Sequence, residues 1–410
     1  MFRILHSIRS VNPKGGGPIE GLKQLAAVNQ RHGHAVEIVS LDSPDDPWVR
    51  DCPIRCHAVG PSFLGYGYSS RLVPWLREHR RNYDIVIVNG IWQYSALGVW
   101  AALRNTTTPY FVFTHGMLDP WLKRAYPLKH LKKWLYWPWG DYRVLRDATA
   151  VLFTCEEERR LARQSFWLYR CDEFVVNYGT SAPSGDPIAQ RAAFLRRFPE
   201  IAGKRCLLFL GRVHVKKGPE LVLQALAKIM AELSRDQTGG LHLVMAGPVD
   251  HDYGRTMVAL AQRLGLADRV TWTGMLTGDL KWGAFHAADA FILPSHQENF
   301  GIAVVEALAC GVPVLISNQV NIWREITMDG VGLVETDDLE GTEVLLRRWL
   351  STPREVWEKM KDAARDSFAR RYHIDRAAES LVRAMELFGV VPFAPERDAG
   401  IQRKADDGLR

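Results

Sequence analysis

The chain lacks any run of 18 apolar residues, so no segment is long enough to cross a bilayer as a helix. Its first residues, MFRILHSIRS, are interrupted by Arg3, His6 and Arg9, a pattern that predicts no secretory leader. Cysteine is scarce, six residues at 52, 56, 155, 171, 206 and 310. Only Cys52 and Cys56 are neighbours, and no second pair completes a zinc site, so reduced thiols and a cytoplasmic setting are expected. No GxGxxG opens either half, which argues against a dinucleotide oxidoreductase. No short repeat is present. The acids of Asp250-His251-Asp252 are read as a polar loop after MAGP, and no metal or cofactor is expected.

What is present is length and rhythm. The 410 residues favour two domains of about 200 each. Net charge is +6, which leans toward nucleotides, phosphates or an acidic membrane surface. Strand-length apolar runs alternate with amphipathic helical ones. Strands are expected at Phe2–Ser7, Ala35–Ser40, Asp84–Val88, Tyr110–Thr114, Thr149–Phe153 and Glu173–Asn177, then at Cys206–Leu210, His242–Ala246, Arg269–Thr273, Ala290–Leu293 and Val312–Ile316. That alternation predicts an α/β fold of doubly wound parallel sheets. NYGTSAPSGDP at 177–187 reads as the linker. The expected organisation is a Rossmann-like domain over 1–180, a second over 181–370, a C-terminal helix at 371–391 crossing back to the first, and a disordered tail at 392–410.

Ligands of such sheets bind beyond the carboxyl ends of the strands. Glu298 lies just past the strand ending DAFILPS, and a helix starting near Phe300 would carry Glu306 about two turns in. Carboxylates accept hydrogen bonds and suit hydroxyl-rich ligands. Gly15-Gly16-Gly17, between the first strand and a helix, lets backbone N–H groups approach an anion. Arg212 and Lys217, at the end of a strand, can neutralise a diphosphate. His115 follows a strand and precedes a glycine, which aims it at the cleft. Taken singly, each also fits a blander role: a surface acid, a flexible loop, a solvated basic loop, a packed histidine.

ENFGIAVVEALACGVPV (298–314) resembles the Glu-x7-Glu signature of family 4 retaining glycosyltransferases, which have the two-domain GT-B architecture. LLFLGRVHVKKGPELVLQAL (207–226), PYFVFTHGM (109–117) and NPKGGGPIEGLKQLA (12–26) resemble further family segments, in the right order. The resemblance implies transfer of a hexosyl unit from a UDP- or GDP-sugar to a glycan acceptor, possibly lipid-linked, in surface polysaccharide synthesis, exopolysaccharide or lipopolysaccharide. It implies retention, with the departing phosphate helping to deprotonate the acceptor on the same face. It places Gly16 and Gly17 at the diphosphate or sugar and His115 at the sugar hydroxyls. Arg212 and Lys217 fall at the diphosphate, Glu298, Asn299, Phe300 and Gly301 at the donor sugar, Glu306 at the ribose, and Gly274 and Met275 at the base. One departure is NIWREI, where the family's Gly-Gly-x-x-Glu retains only Glu325. Alternatives within the architecture are a sugar-nucleotide epimerase, a phosphorylase-type enzyme, or a non-catalytic sugar-nucleotide-binding subunit.

Residues 121–146, WLKRAYPLKHLKKWLYWPWGDYRVLR, hold seven Lys/Arg against one acid, with four Trp and three Tyr interleaved. Such a segment fits an anionic membrane surface or a lipid-linked diphosphate acceptor, and equally a helix packed on the first domain with a solvated basic face. No nucleic-acid-binding fold accompanies the charge, so nucleic acid is not an expected partner.

Overall fold

Strands rich in Val, Ile, Leu and Phe, buried on both faces, pair in parallel because crossover helices cover each side. The structure, a computed structural model, describes residues 1–233 and 240–392. The first sheet contains β1 (Arg3–Ile8), β2 (Ala35–Ser40), β3 (Cys56–Ala58), β4 (Ile85–Asn89), β5 (Tyr110–Phe113), β6 (Ala150–Phe153) and β7 (Glu173–Val175). Their order is β3-β2-β1-β4-β5-β6-β7. The second contains β8 (Cys206–Leu210), β9 (His242–Ala246), β10 (Val270–Gly274), β11 (Ala290–Leu293), β12 (Val314–Ser317) and β13 (Gly332–Glu335), in the order β10-β9-β8-β11-β12-β13. Every ladder is parallel. The order reverses between β1 and β4 and again between β8 and β11, which opens a crevice at the carboxyl end of each sheet.

Two expected boundaries move for visible reasons. β12 begins at Val314, after Pro313, which has no N–H to give the ladder. β7 stops at Val175, and the Asn177 N–H instead donates to Ser380 Oγ at 3.1 Å. The edge strands β3 and β13 were not anticipated.

The helix Ile374–Leu387 buries Ala377, Ala378, Leu381 and Met385 among Ile19, Leu22 and Leu25 of the first sheet's covering helix. After the second sheet the chain therefore returns to the first lobe. The expected tail from 393 onward lies outside the described residues. Among the described residues no helix is long and apolar enough to cross a membrane, and all six cysteines are free thiols.

Candidate active site

The carboxyl ends of the two sheets face each other across a cleft of about 540 Å³. Two helices point their first turns into it, Gly17–Arg31 from one lobe and Ile302–Ala309 from the other. A helix's first N–H groups have no partner within the helix and carry its positive dipole end, so the cleft is set up for an anion from both sides. The second helix starts at Ile302 because Gly301 takes a left-handed conformation (φ 78°). Glu306 is thus little more than one turn in, rather than two.

Lys217 comes from a short turn, Val215–Lys217, ended by left-handed Gly218. A Cβ on Gly218 would sit 2.5 Å from the carbonyl oxygen of Pro294, so only glycine lets the turn lie against the end of β11. The Lys217 ammonium forms an ion pair with Glu298. Burial first, and then Arg212 and Lys216, pull the Lys217 pKa down to about 7, while the touching carboxylate of Glu298 favours the charged ammonium. Arg212 stays exposed on the same wall and makes no ion pair among the described residues. This wall therefore sets three cations against the single carboxylate of Glu298.

The opposite wall offers Lys14, the turn at Gly15–Gly17 and His115. His115 sits at φ 47°, its ring stacked on Phe113 at 5.3 Å, with Nε2 3.5 Å from Asn89 Oδ1. Burial lowers its pKa to about 4, so it is uncharged at neutral pH. The buried carboxylate of Glu158 fixes this wall. It accepts from Thr114 Oγ1 (2.8 Å), Gly116 N (2.6 Å), and Thr154 N and Oγ1 (2.8 and 2.7 Å), tying the loop after β5 to the loop after β6. Sequence reasoning missed Glu158. Its signal was an acid at the third position of the helix after a buried strand, where a capping carboxylate reaches back to the chain before it.

The lobes touch at the cleft. Asn299 Nδ2 donates to Thr154 Oγ1 at 3.1 Å, and a Cβ on Gly116 would overlap the Asn299 side chain. Gln297 Nε2 donates to Asp119 Oδ2 at 3.0 Å, while Lys216 reaches Gln297 Oε1 at 3.4 Å and lies over the Trp121 ring at 4.7 Å.

Gly16, Gly17, His115, Arg212, Lys217, Glu298, Asn299, Phe300 and Gly301 all line the cleft; Gly274, Met275 and Glu306 do not. Glu306 is buried and paired with Lys281 at 2.6 Å. Gly274 ends the edge strand β10, and Met275 is exposed. Glu325 lines a separate cavity between the lobes, beside Tyr372. Asp252 begins the helix Asp252–Arg263 and pairs with Arg255.

Residues 121–146 fold as three helices, Trp121–Ala125, Pro127–Tyr136 and Asp141–Arg146. In Pro127–Tyr136 the usual amphipathic order is reversed. Leu128, Leu131 and Leu135, at i, i+3 and i+7, are exposed. Lys133 is half-buried inward, over the Trp92 ring at 4.4 Å.

The chain matches two family descriptions, Glycosyl transferase 4-like domain over residues 16–179 and Glycosyl transferases group 1 over 191–367. It is 29% identical over 283 residues to the D-inositol 3-phosphate glycosyltransferase of Rhodococcus jostii, covering 64% of this chain and 59% of that protein. It is 34% identical over 165 residues to the protein of the same name from Thermobispora bispora, covering 40% and 38%. The chain thus spans well under two thirds of the length of these relatives. Among solved structures, Anabaena Alr3699/HepE in complex with UDP-glucose superposes with a TM-score of 0.74 at 16% identity, over 94% of this chain and all of that one. Sucrose-phosphate synthase from Thermosynechococcus elongatus gives 0.73 at 19%, over 95% of this chain and all of that one. With both lobes matched by family and the two-sheet fold shared, the chain belongs to the family 4 glycosyltransferases of GT-B architecture.

Proposed function

We propose that the protein moves a hexosyl unit from a UDP- or GDP-sugar to a hydroxyl of a glycan acceptor, with retention and without a divalent metal ion. The observation that carries this reading is the Lys217–Glu298 pair beside Arg212, facing a glycine turn and a helix N-terminus across the cleft. An incoming diphosphate displaces Glu298 from Lys217 and takes both fixed cations. Glu298, freed, accepts from hydroxyls of the sugar, as the backbone at Asn299–Gly301 donates to them. Neutral His115 can donate from one ring nitrogen and accept at the other, which suits a sugar hydroxyl.

In the transfer, the bond from the anomeric carbon to the diphosphate oxygen breaks and its electron pair leaves with the nucleotide. Arg212 and Lys217 stabilise that charge, an effect typically of several kcal/mol in a dry site. The acceptor oxygen bonds to the same face, and its proton passes to the departing phosphate. Glu306 and the chain around Gly274 and Met275, outside the cleft, are assigned to the ribose and base of the extended nucleotide. The UDP-glucose complex of HepE supports a uridine donor. The relatives named above act on D-inositol 3-phosphate; the outward leucines of Pro127–Tyr136 favour instead a lipid-linked acceptor at an anionic membrane face, as in surface polysaccharide synthesis.

The test is a panel of UDP- and GDP-sugars read by thermal shift and by acceptor-free hydrolysis, with and without EDTA. One donor is expected to raise the melting temperature in proportion to its logarithmic concentration, and hydrolysis to survive chelation. If no nucleotide sugar shifts the melt, the donor assignment is wrong; loss of hydrolysis in EDTA would overturn metal independence.

A further inference from the structure

A second exposed apolar element lies beside the reversed helix. Residues 63–68 form a tight hairpin in which Phe63 N donates to Tyr68 O at 2.8 Å and Tyr68 N to Phe63 O at 2.9 Å. It carries Phe63, 63% exposed, at the closing pair and Leu64, 83% exposed, just beyond it. Leu64 adopts φ 64°, a left-handed backbone that disfavours a residue with a branched side chain. A large apolar side chain held in unfavourable backbone geometry and offered to water points to a function rather than to packing.

The hairpin is locked to the helix. The Tyr66 hydroxyl hydrogen-bonds the Tyr136 hydroxyl, the last residue of Pro127–Tyr136. The two rings meet edge-on at 5.8 Å, and Tyr94 packs against both Tyr66 and Tyr68 at 6.2 and 4.8 Å. Hairpin and helix thus present one surface from two distant parts of the chain. Exposed Lys129 and Lys132 flank the outward leucines, and the only acid of residues 121–146, Asp141, is buried. Apolar side chains among cations, with no exposed acid, match a bilayer of anionic headgroups and do not match water. The same surface leads to the cleft. The hairpin's Gly67 lies against Arg9, just after β1, and Pro127–Tyr136 follows closely on Leu122, which lines the cleft.

We infer that the Phe63–Tyr68 hairpin is a second membrane-seating element, which enters the headgroup region of an anionic bilayer together with Pro127–Tyr136 and sets the acceptor side of the cleft at that level. The inference rests on the membrane-facing reading proposed above. It is tested with the full chain and vesicles of phosphatidylglycerol with phosphatidylcholine, against phosphatidylcholine alone. Cosedimentation is compared for the unmodified chain, Phe63→Ser/Leu64→Ser, and Leu131→Ser/Leu135→Ser. The hairpin variant is expected to lose at least about tenfold in binding to the anionic vesicles. In the unmodified chain the amides of Leu64 and Gly65 are expected to exchange more slowly once vesicles are added, a readout that does not depend on any variant folding. If the hairpin variant binds as the unmodified chain does and those amides exchange at one rate throughout, the hairpin has no membrane role; release by Leu131→Ser/Leu135→Ser would then leave the helix reading intact. If the unmodified chain sediments with neither vesicle, both fall, and the surface belongs to a protein partner.

Discussion

Glu298 and Glu306 each pair with a lysine, yet the two pairs sit in different company. Lys217–Glu298 lines the cleft beside Arg212 and Lys216, opposite two glycines at a helix start. Lys281–Glu306 is closed off from the cleft, with its carboxylate buried and its ammonium over the Trp282 ring at 4.4 Å. The first pair stands in a surplus of positive charge that an arriving anion relieves. The second is one charge against one, and breaking it strands a largely buried carboxylate without its cation. The same chemistry is therefore readily exchanged at one site and costly to disturb at the other.

The sharpest way to break this comparison is Lys217→Ala. Turnover at saturating donor is expected to fall about 10²- to 10³-fold, while thermal unfolding shifts by only a few degrees. Equal turnover in the two proteins would remove Lys217 from the site. Lys281→Ala should do the reverse to stability, costing about 3 kcal/mol by leaving Glu306 buried without its cation. Burial raises the Glu306 pKa and Lys281 opposes that shift. With Lys281 gone, the folded state favours the protonated acid still more, so the loss should be smaller at pH 5 than at pH 8, as melting curves at the two values will show. Glu306→Gln is expected to weaken donor binding about tenfold by calorimetry, since a hydrogen bond to a charged group is worth roughly 1.5–3 kcal/mol. Unchanged affinity would make that pair purely structural and widen the contrast. The smallest effect is expected for Lys216→Ala, a two- to threefold rise in KM for the donor, because its charge is one of several on the wall.

Much of this was legible because the functional side chains follow buried strands. Arg212 comes after Cys206–Leu210, His115 after Tyr110–Phe113, and Glu298 after Ala290–Leu293, and each apolar run announces its strand. β3 was not legible because Cys56-His57-Ala58 carries too few β-branched or aromatic residues to signal a strand, and β13 because it opens on Gly332. Glu158 was hidden for a different reason. Three consecutive acids, Glu156-Glu157-Glu158, have the composition of a solvated helix start, although Glu157 and Glu158 are both buried. Nor did charge alone show which way Pro127–Tyr136 faces. Its leucine spacing is that of an inward stripe, and only the packing of Lys133 on Trp92 turns that stripe outward.

The helix Ile374–Leu387 has a bearing on how the chain is made. Ile19, Leu22 and Leu25 leave the ribosome long before the side chains that cover them. Until residues 374–390 emerge, the nascent first lobe keeps an apolar groove open to chaperones or to its neighbours. A premature stop after the second sheet would thus spare every residue lining the cleft and still yield a protein whose amino-terminal half has never been sealed.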